Sequence, residues 1–456
     1  MIKRNNNFQN RIKMKTNKKQ IKETEFTLGF FPRSLFLFAQ FAMMAKRAEE
    51  YHKKNTKSSC WQMGNMKSLG MLLALIYLTT LGFNVQGQEE NQETKIRPFQ
   101  ITLVTPLGTN GLEAWNTTNN VSINLYAGYN GGLDGVEVSG FGSLLKNDMI
   151  GTQIAGFGNL IMGQGNGIQI AGFLNYANNT YKGLQAAGFA NVALDSLNGL
   201  QFAGFTNISV EKINKMQISG FANYSKGSDI GQITGFANVS VGKLKGIQLA
   251  GFSNVSTESV KGAQIAGFSN YTKKLNGVQI APFNYVDSLE NGIPIGVFSI
   301  VRNGYRTFEI SANETLYGVF SFKTGVKSFY NIISVGSSIH DNKIYWGWGY
   351  GIGTMIPVKE KWNVAIELLS YHINEDEWFT EVLNLNNKLQ ITASKKVSEN
   401  IEVFGGASWN VNVSELEDND GHAFKSSISP YHTFNKTYND ETNVKMYPGF
   451  TAGVRF

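Results

Sequence analysis

Five histidines and one cysteine are the residues of this 456-residue chain best equipped for nucleophilic or metal chemistry. His52, His340, His372, His422 and His432 never fall at the i, i+4 spacing that points two imidazoles at one metal ion. His422 and His432 share a segment with Glu415, Glu417, Asp418 and Asp420, which reads as a solvated acidic loop. The DNDG at Asp418–Gly421 has the flavour of a calcium loop. Leu416 stands at the first acidic position and Ser427 at the closing one, so ligands are missing at both ends. Glu367 and Glu402 fall on the polar face of alternating segments. Paired carboxylates can move protons, but a β-barrel interior holds such charges against Lys or Arg. The glycines follow strand alternation or a repeat, without the strand–loop–helix setting of a phosphate cradle. These residues support no catalytic, metal or cofactor-binding assignment, and the expectation is a non-enzyme. A surface hydrolase using Glu415, Asp418 and His422 is the remaining enzymatic alternative.

Charge and leader place the chain. Residues 1–67 carry 15 of the 41 Lys+Arg and 4 of the 34 Asp+Glu, a balance of +11, leaving 26 against 30, or −4, for the rest. The basic pI is thus a property of the first segment, and it gives no ground for nucleic acid as a partner. MKSLGMLLALIYLTTLGFNVQG (66–87) has Lys67 as a short basic start, an apolar core from Leu69 to Phe83 and small-residue cleavage after Gly87. The core is shorter than the ~20 residues of a spanning helix. Residues 66–87 are therefore expected to be a signal peptide, with 1–65 a misassigned or disordered upstream extension. Cys60 lies in that extension, so the chain beyond it has no thiol, disulfide or cysteine metal site.

The elements that would position any site begin with a repeat. Phe141, Phe157, Phe173, Phe189, Phe205, Phe221, Phe236, Phe252 and Phe268 follow one another at sixteen residues, once fifteen, and Phe283 and Phe298 close the series at fifteen. A fixed period over this length marks a repeat architecture. In VALDSLNGLQFAGFTNIS (192–209) the residues Val192, Leu194, Leu197, Leu200, Phe202, Gly204, Thr206 and Ile208 are separated by steps of two and three. Steps of two are strand. Steps of three read as corners at Asp195-Ser196 and Asn198-Gly199, with the polar residues between facing outward. Every unit looks alike, and an apolar residue recurs at the corner (Leu197, Ile213, Leu244, Val260, Leu275). Alternating hairpins would make neighbouring loops differ, so a β-solenoid of one coil per unit is favoured. The alternative is one large β-barrel with the repeats as wall. Stacked coils predict ladders of Phe157, Phe173, Phe189, Phe205, Phe221, Phe236, Phe252 and Phe268, and of Asn175, Asn191, Asn207, Asn223, Asn238, Asn254 and Asn270.

From Arg306 the pattern changes. Trp346, Trp348, Tyr350, Ile352 and Ile356 alternate with glycines; Ile401, Val403, Ala407, Trp409 and Val411 alternate with Glu402, Ser408 and Asn410. An apolar, aromatic face opposite a small or polar one is the dyad of an outer-membrane strand. Eight strands are expected, near 306–313, 316–324, 329–338, 343–357, 362–373, 387–397, 401–413 and 447–456. The short connections at Gly325, Lys359 and Ser398 fall on one side and the long ones at 374–386 and 414–446 on the other, the asymmetry of bacterial barrels. YPGFTAGVRF ends in Phe456 behind alternating apolar residues and resembles a barrel-insertion signal. Trp346, Trp348, Tyr350, Trp409 and Phe456 are the expected girdle and insertion residues.

The GxQIAGFxN units, closing in GIPIGVFS (292–299), resemble a family of bacterial surface-repeat outer-membrane proteins. The resemblance covers roughly 120–456 and implies an exported surface or outer-membrane protein, without an activity. The expected fold is all-β: a mature N-terminal segment with two strands (88–130), the repeat β-solenoid (131–300) and an antiparallel outer-membrane-type barrel of about eight strands (301–456). The expected protein is a scaffold or a binding and adhesion surface at the outer membrane or cell surface of a Gram-negative-type bacterium, exported from Met66. Its expected partners are outer-membrane lipid, the barrel-assembly machinery and an unidentified surface ligand, with no cofactor. The alternative function is a porin-like channel whose wall includes the repeats.

Overall fold

The computed structural model describes residues 95–340, 343–375, 378–416, 426–429, 431–439 and 441–456. The expected signal peptide, the upstream extension with His52 and Cys60, and Glu417, Asp418, Asp420 and His422 lie outside the described residues. Among the described residues, one 3-10 turn (Gly111–Asn116) interrupts an otherwise all-strand chain. Two sheets result: one of twenty-two strands and one of nine.

The first sheet is a parallel stack of about twelve coils. Each coil of the regular part contributes a longer strand and a shorter one, such as Tyr181–Ala187 and Ala190–Ala193. Tyr181 pairs with Leu197 ahead of it and Gly165 behind it, and Asn191 with Asn207 and Asn175. Parallel pairing at one repeat removes the hairpin arrangement that a barrel wall of repeats requires. Stacking begins earlier than the repeat phrase does: Lys95–Val104 pairs in parallel with Thr117–Asn130. Two glycines per unit make the coil possible. Gly183 has φ +130°, and a Cβ there would sit 1.8 Å from the Gly167 carbonyl oxygen of the coil before it; a Cβ on Gly188 would sit 2.1 Å from the Gly172 oxygen.

The coil is inside out relative to the sequence expectation. Gln201, Asn207 and Ser209 are wholly buried, whereas Phe202 and Phe205 are 37% and 38% exposed. The Gly-Phe pair is itself a corner, which the spacing argument did not anticipate. The amides go inward because strands one coil apart lie about 4.8 Å from each other. At that distance identical side chains donate and accept in register, so each amide with a like neighbour on both sides is satisfied. The predicted apolar corner is inward as expected: Leu197, Ile213, Leu244, Val260 and Leu275 are at most 1% exposed. They join Leu133, Leu145, Met149, Ile161 and Tyr181 at one end, and Val286 and Val301 at the other, in two apolar clusters.

The second sheet is antiparallel and alternates as expected. Its strands are Tyr305–Asn313, Gly318–Val326, Phe329–His340, Lys343–Lys359, Trp362–Glu375, Asn384–Lys396, Glu402–Ser414 and Thr442–Arg455. A ninth short strand, Phe434–Tyr438, lies in the connection expected to be a long loop and pairs with the start of Thr442–Arg455. Tyr305–Asn313 pairs with Gly318–Val326 along one edge and with Thr442–Arg455 along the other. The pairings thus run through eight strands and return to the first.

Candidate functional site

Three groups of residues are organised enough to carry a function: the coil ladders, the exposed face of the antiparallel strands, and the enclosed ionic cluster.

The ladders are continuous. Nε2 of Gln279 donates to Gln264, and the chain runs on through Gln248, Gln232, Gln217, Gln201, Gln185 and Gln169 to Gln153, at 2.6–2.9 Å per step. Gln153 donates to Oε2 of Glu137 at 2.9 Å. The Asn ladder runs the other way: Nδ2 of Asn159 donates to Asn175, and on through Asn191, Asn207, Asn223, Asn238, Asn254 and Asn270 to Asn284, at 2.9–3.1 Å. Each ladder leaves an orphan acceptor at the end where the repeat residue changes. Gln279 Oε1 lacks a donor because Pro294 is its partner in the next coil, and Asn159 Oδ1 because Ser143 precedes it. The Asn-x-Ser phrases at Asn207, Asn223, Asn238 and Asn254, which match a glycosylation acceptor, are therefore interior amide.

The phenylalanine ladder is exterior. From Phe141 to Phe268 neighbouring rings stack with centroids 4.7–5.1 Å apart and planes within 8°. Phe283 tilts by 51° against Phe268, then Phe298 stacks on it at 5.8 Å. Such pairs add about 0.5–1.5 kcal/mol each beyond the area they cover.

On the antiparallel strands, Trp348, Trp409 and Phe456 are exposed. Half-buried Trp346 donates Nε1–H to the Trp378 carbonyl and packs on Trp378 and Phe379. The backbone N–H and carbonyl of Phe456 both bond to Phe308 at 2.9 Å, so the terminal residue seals the pairing of last strand to first. The hydroxyl of half-buried Tyr350 accepts a hydrogen bond from Nδ2 of Asn331 and donates to the Gly296 carbonyl at 3.4 Å. Asn331 and Thr324 also sit on the exposed face, yet both are covered by the last coil. Asn331 donates to the Gly296 carbonyl at 2.6 Å and accepts from the Ser299 N–H, and Thr324 donates to the Ser299 carbonyl. These side chains satisfy the backbone groups that the final coil leaves open. Their signal in the sequence was a polar residue interrupting an apolar face.

The enclosed face holds ions. Lys323 lies 2.5 Å from Glu309 and 2.6 Å from Glu367, and Arg455 lies 2.7 Å from Glu309. Tyr330 and Gln390 donate to Glu367 at 2.5 Å each. Glu402 accepts from Asn363 and Ser394. Glu367 and Glu402 thus occupy the expected face, but each is spoken for by neutralising or donating neighbours. Lys388 lies 3.0 Å from Glu314, whose carboxyl this lysine holds below its usual range against the opposing effect of burial. The stretch 426–429 folds over this end. Ile428 is buried among Leu316, Tyr345 and Ile373, and the Glu375 carboxylate accepts from the Ser427 N–H and hydroxyl.

Among the described residues no three His, Cys, Asp or Glu side chains gather as metal ligands. His372 Nε2 lies 3.2 Å from the Thr380 carbonyl, and His432 is exposed. No described helix is long and apolar enough to cross a membrane, which says nothing of strands. Compared with known proteins, the chain matches no family model, no curated protein and no solved structure.

Proposed function

We propose that this chain is a non-enzymatic outer-membrane protein. The eight antiparallel strands close into a barrel that anchors it, and the coil stack is a rigid scaffold offering a binding or adhesion surface. One observation carries the reading: the antiparallel strands enclose Glu309, Lys323, Glu367 and Arg455 while exposing Phe308, Phe320, Trp348 and Leu368. A soluble sandwich buries the apolar face of each strand; an outer-membrane barrel turns it to lipid. Strands that pair in a ring present no free edge. The connections 327–328, 360–361 and 397–401 at one end are all short, while the two long ones, 376–383 and 415–441, share the other end with the short 314–317 and 341–342, as when the short turns face the periplasm. An eight-stranded interior filled by side chains leaves no aqueous path, which disfavours a channel. Export from Met66, delivery by the barrel-assembly machinery and an unidentified surface ligand belong to this reading.

The test has two parts. The protein should sediment with outer membranes and resist alkaline carbonate; recovery in the soluble fraction would sink the anchor. In planar bilayers it should conduct no current, and steady ohmic steps would replace the scaffold by a channel. Protease treatment of intact and permeabilised cells, with a tag at Lys245, then assigns the scaffold to the exterior or the periplasm.

A further inference from the structure

Among the described residues nothing covers the outward rows of the coil stack. Each coil turns three apolar positions outward: one before the Gly-Phe corner (Ile154, Ile170, Phe202, Leu249), the corner phenylalanine, and one after it (Tyr271, Ile300). Three such side chains over about ten coils expose on the order of 2,000 Å², at about a third of the ~200 Å² of each. Soluble monomers rarely show patches beyond a few hundred Å². Lysines gather at the opposite edge, where Lys212 and Lys245 flank Asp229 and hold its carboxyl below the usual range.

The junction sets the direction of this surface. In a parallel stack the open edge of the last coil points along the stacking axis. That edge, at Gly296 and Ser299, is bonded by Asn331 and Thr324 on the exposed face of the antiparallel strands. The coils therefore stack outward from the wall, whose own exposed face carries Phe320 and Ile333. If that wall faces lipid, a stack leaving it sideways runs along the bilayer.

We infer that the outward Ile/Phe/Val face of the coil stack is seated in the acyl chains of the bilayer, with its lysine edge at the headgroups. This rests on the anchor reading above. The surface suits a fluid better than a second copy of the chain, because two apolar faces meet at a convex phenylalanine corner. A flat partner would cover one face, whereas acyl chains wrap both. The interior is equally suited: coil-to-coil bonds pair its backbone and its amides, as a hydrocarbon setting demands.

The test is spin-label accessibility on the full chain, with Cys60→Ser, in phosphatidylcholine/phosphatidylglycerol vesicles. Labels are placed singly at Phe205→Cys and Ile208→Cys on the outward rows, Lys245→Cys on the polar edge and Leu368→Cys on the antiparallel wall. All four positions point outward, so the fold is spared. Phe205 and Ile208 should collide with oxygen and be shielded from a nickel chelate, matching Leu368, with Lys245 the reverse. Nickel-accessible Phe205 and Ile208 beside a lipid-like Leu368 would overturn the inference and leave the anchor standing. Shielding from both reagents would replace lipid by a protein cover and overturn it also. A nickel-accessible Leu368 would overturn the anchor reading and this one with it.

Discussion

Nε2–H of Gln153 donates to Oε2 of Glu137 at 2.9 Å, and this bond ends an amide chain that begins at Gln279. Glu137 also accepts from Asn124 at 2.9 Å, Asn130 at 2.5 Å and the Ser143 hydroxyl. A side chain that receives donors from every direction must itself be all acceptor. Glu137→Gln turns an NH₂ group toward those donors and should cost about 1–3 kcal/mol per group left unpaired. A lower urea midpoint with an unchanged slope is the expected readout; an unchanged midpoint would refute this role.

Interior and exterior ladders should respond differently. Asn207 donates to Asn223 and the Ile218 carbonyl and accepts from Asn191, so Asn207→Ala orphans buried groups on both sides at about 1–3 kcal/mol each. Phe205→Ala removes two outward stacks, at about 0.5–1.5 kcal/mol each. Because each coil touches only its neighbours, faster hydrogen exchange in Asn207→Ala should be confined to the adjoining coils. Exchange spread evenly along the stack would contradict that locality.

At the junction, Asn331→Ala removes the side-chain partner of the Ser299 N–H and leaves the Gly296 carbonyl with the Tyr350 hydroxyl at 3.4 Å. The Ser299 amide should lose protection while the coils near Tyr181 keep theirs. Equal loss in both regions would mean that the junction holds the whole stack together.

Within the ring of strands, Lys323→Met leaves Glu309 and Glu367 buried with Arg455 as their remaining cation. Removing one partner of a buried ion pair typically costs about 3–5 kcal/mol. Unfolding in detergent should shift by that order, and a wild-type midpoint would show the cluster to be energetically idle.

Tyr181 supplies a pH signature. Its buried hydroxyl donates to the Gly167 and Leu184 carbonyls, and burial raises its pKa. A group raised on folding contributes stability that is complete below its unfolded pKa of about 10. That stability is lost as pH climbs beyond 10 toward the folded value. Tyr181→Phe should flatten this alkaline decline relative to wild type, and identical alkaline profiles would count against it.

The period of the repeat was legible because identical coils impose it. The buried corner could be read at Leu197 and Ile213 because burial there follows ordinary hydrophobicity. The orientation of Gln201 and Phe205 could not be read in this way. Hydrophobicity assigns phenylalanine inward, and only the bonds between successive coils, which no single unit contains, make a buried amide the lower-energy choice. On the antiparallel strands alternation sorted Glu367 and Trp348 correctly. Asn331 escaped notice because its partner, the Gly296 carbonyl, is a backbone atom thirty-five residues away.

The opposed donation of the two amide ladders has an electrostatic consequence. Each aligned row of side-chain amides is a line of dipoles, and one row alone would build a field that grew with every coil. The Gln row points one way along the stack and the Asn row the other, so their fields cancel coil by coil. A unit can then be added or deleted without changing the potential at either end.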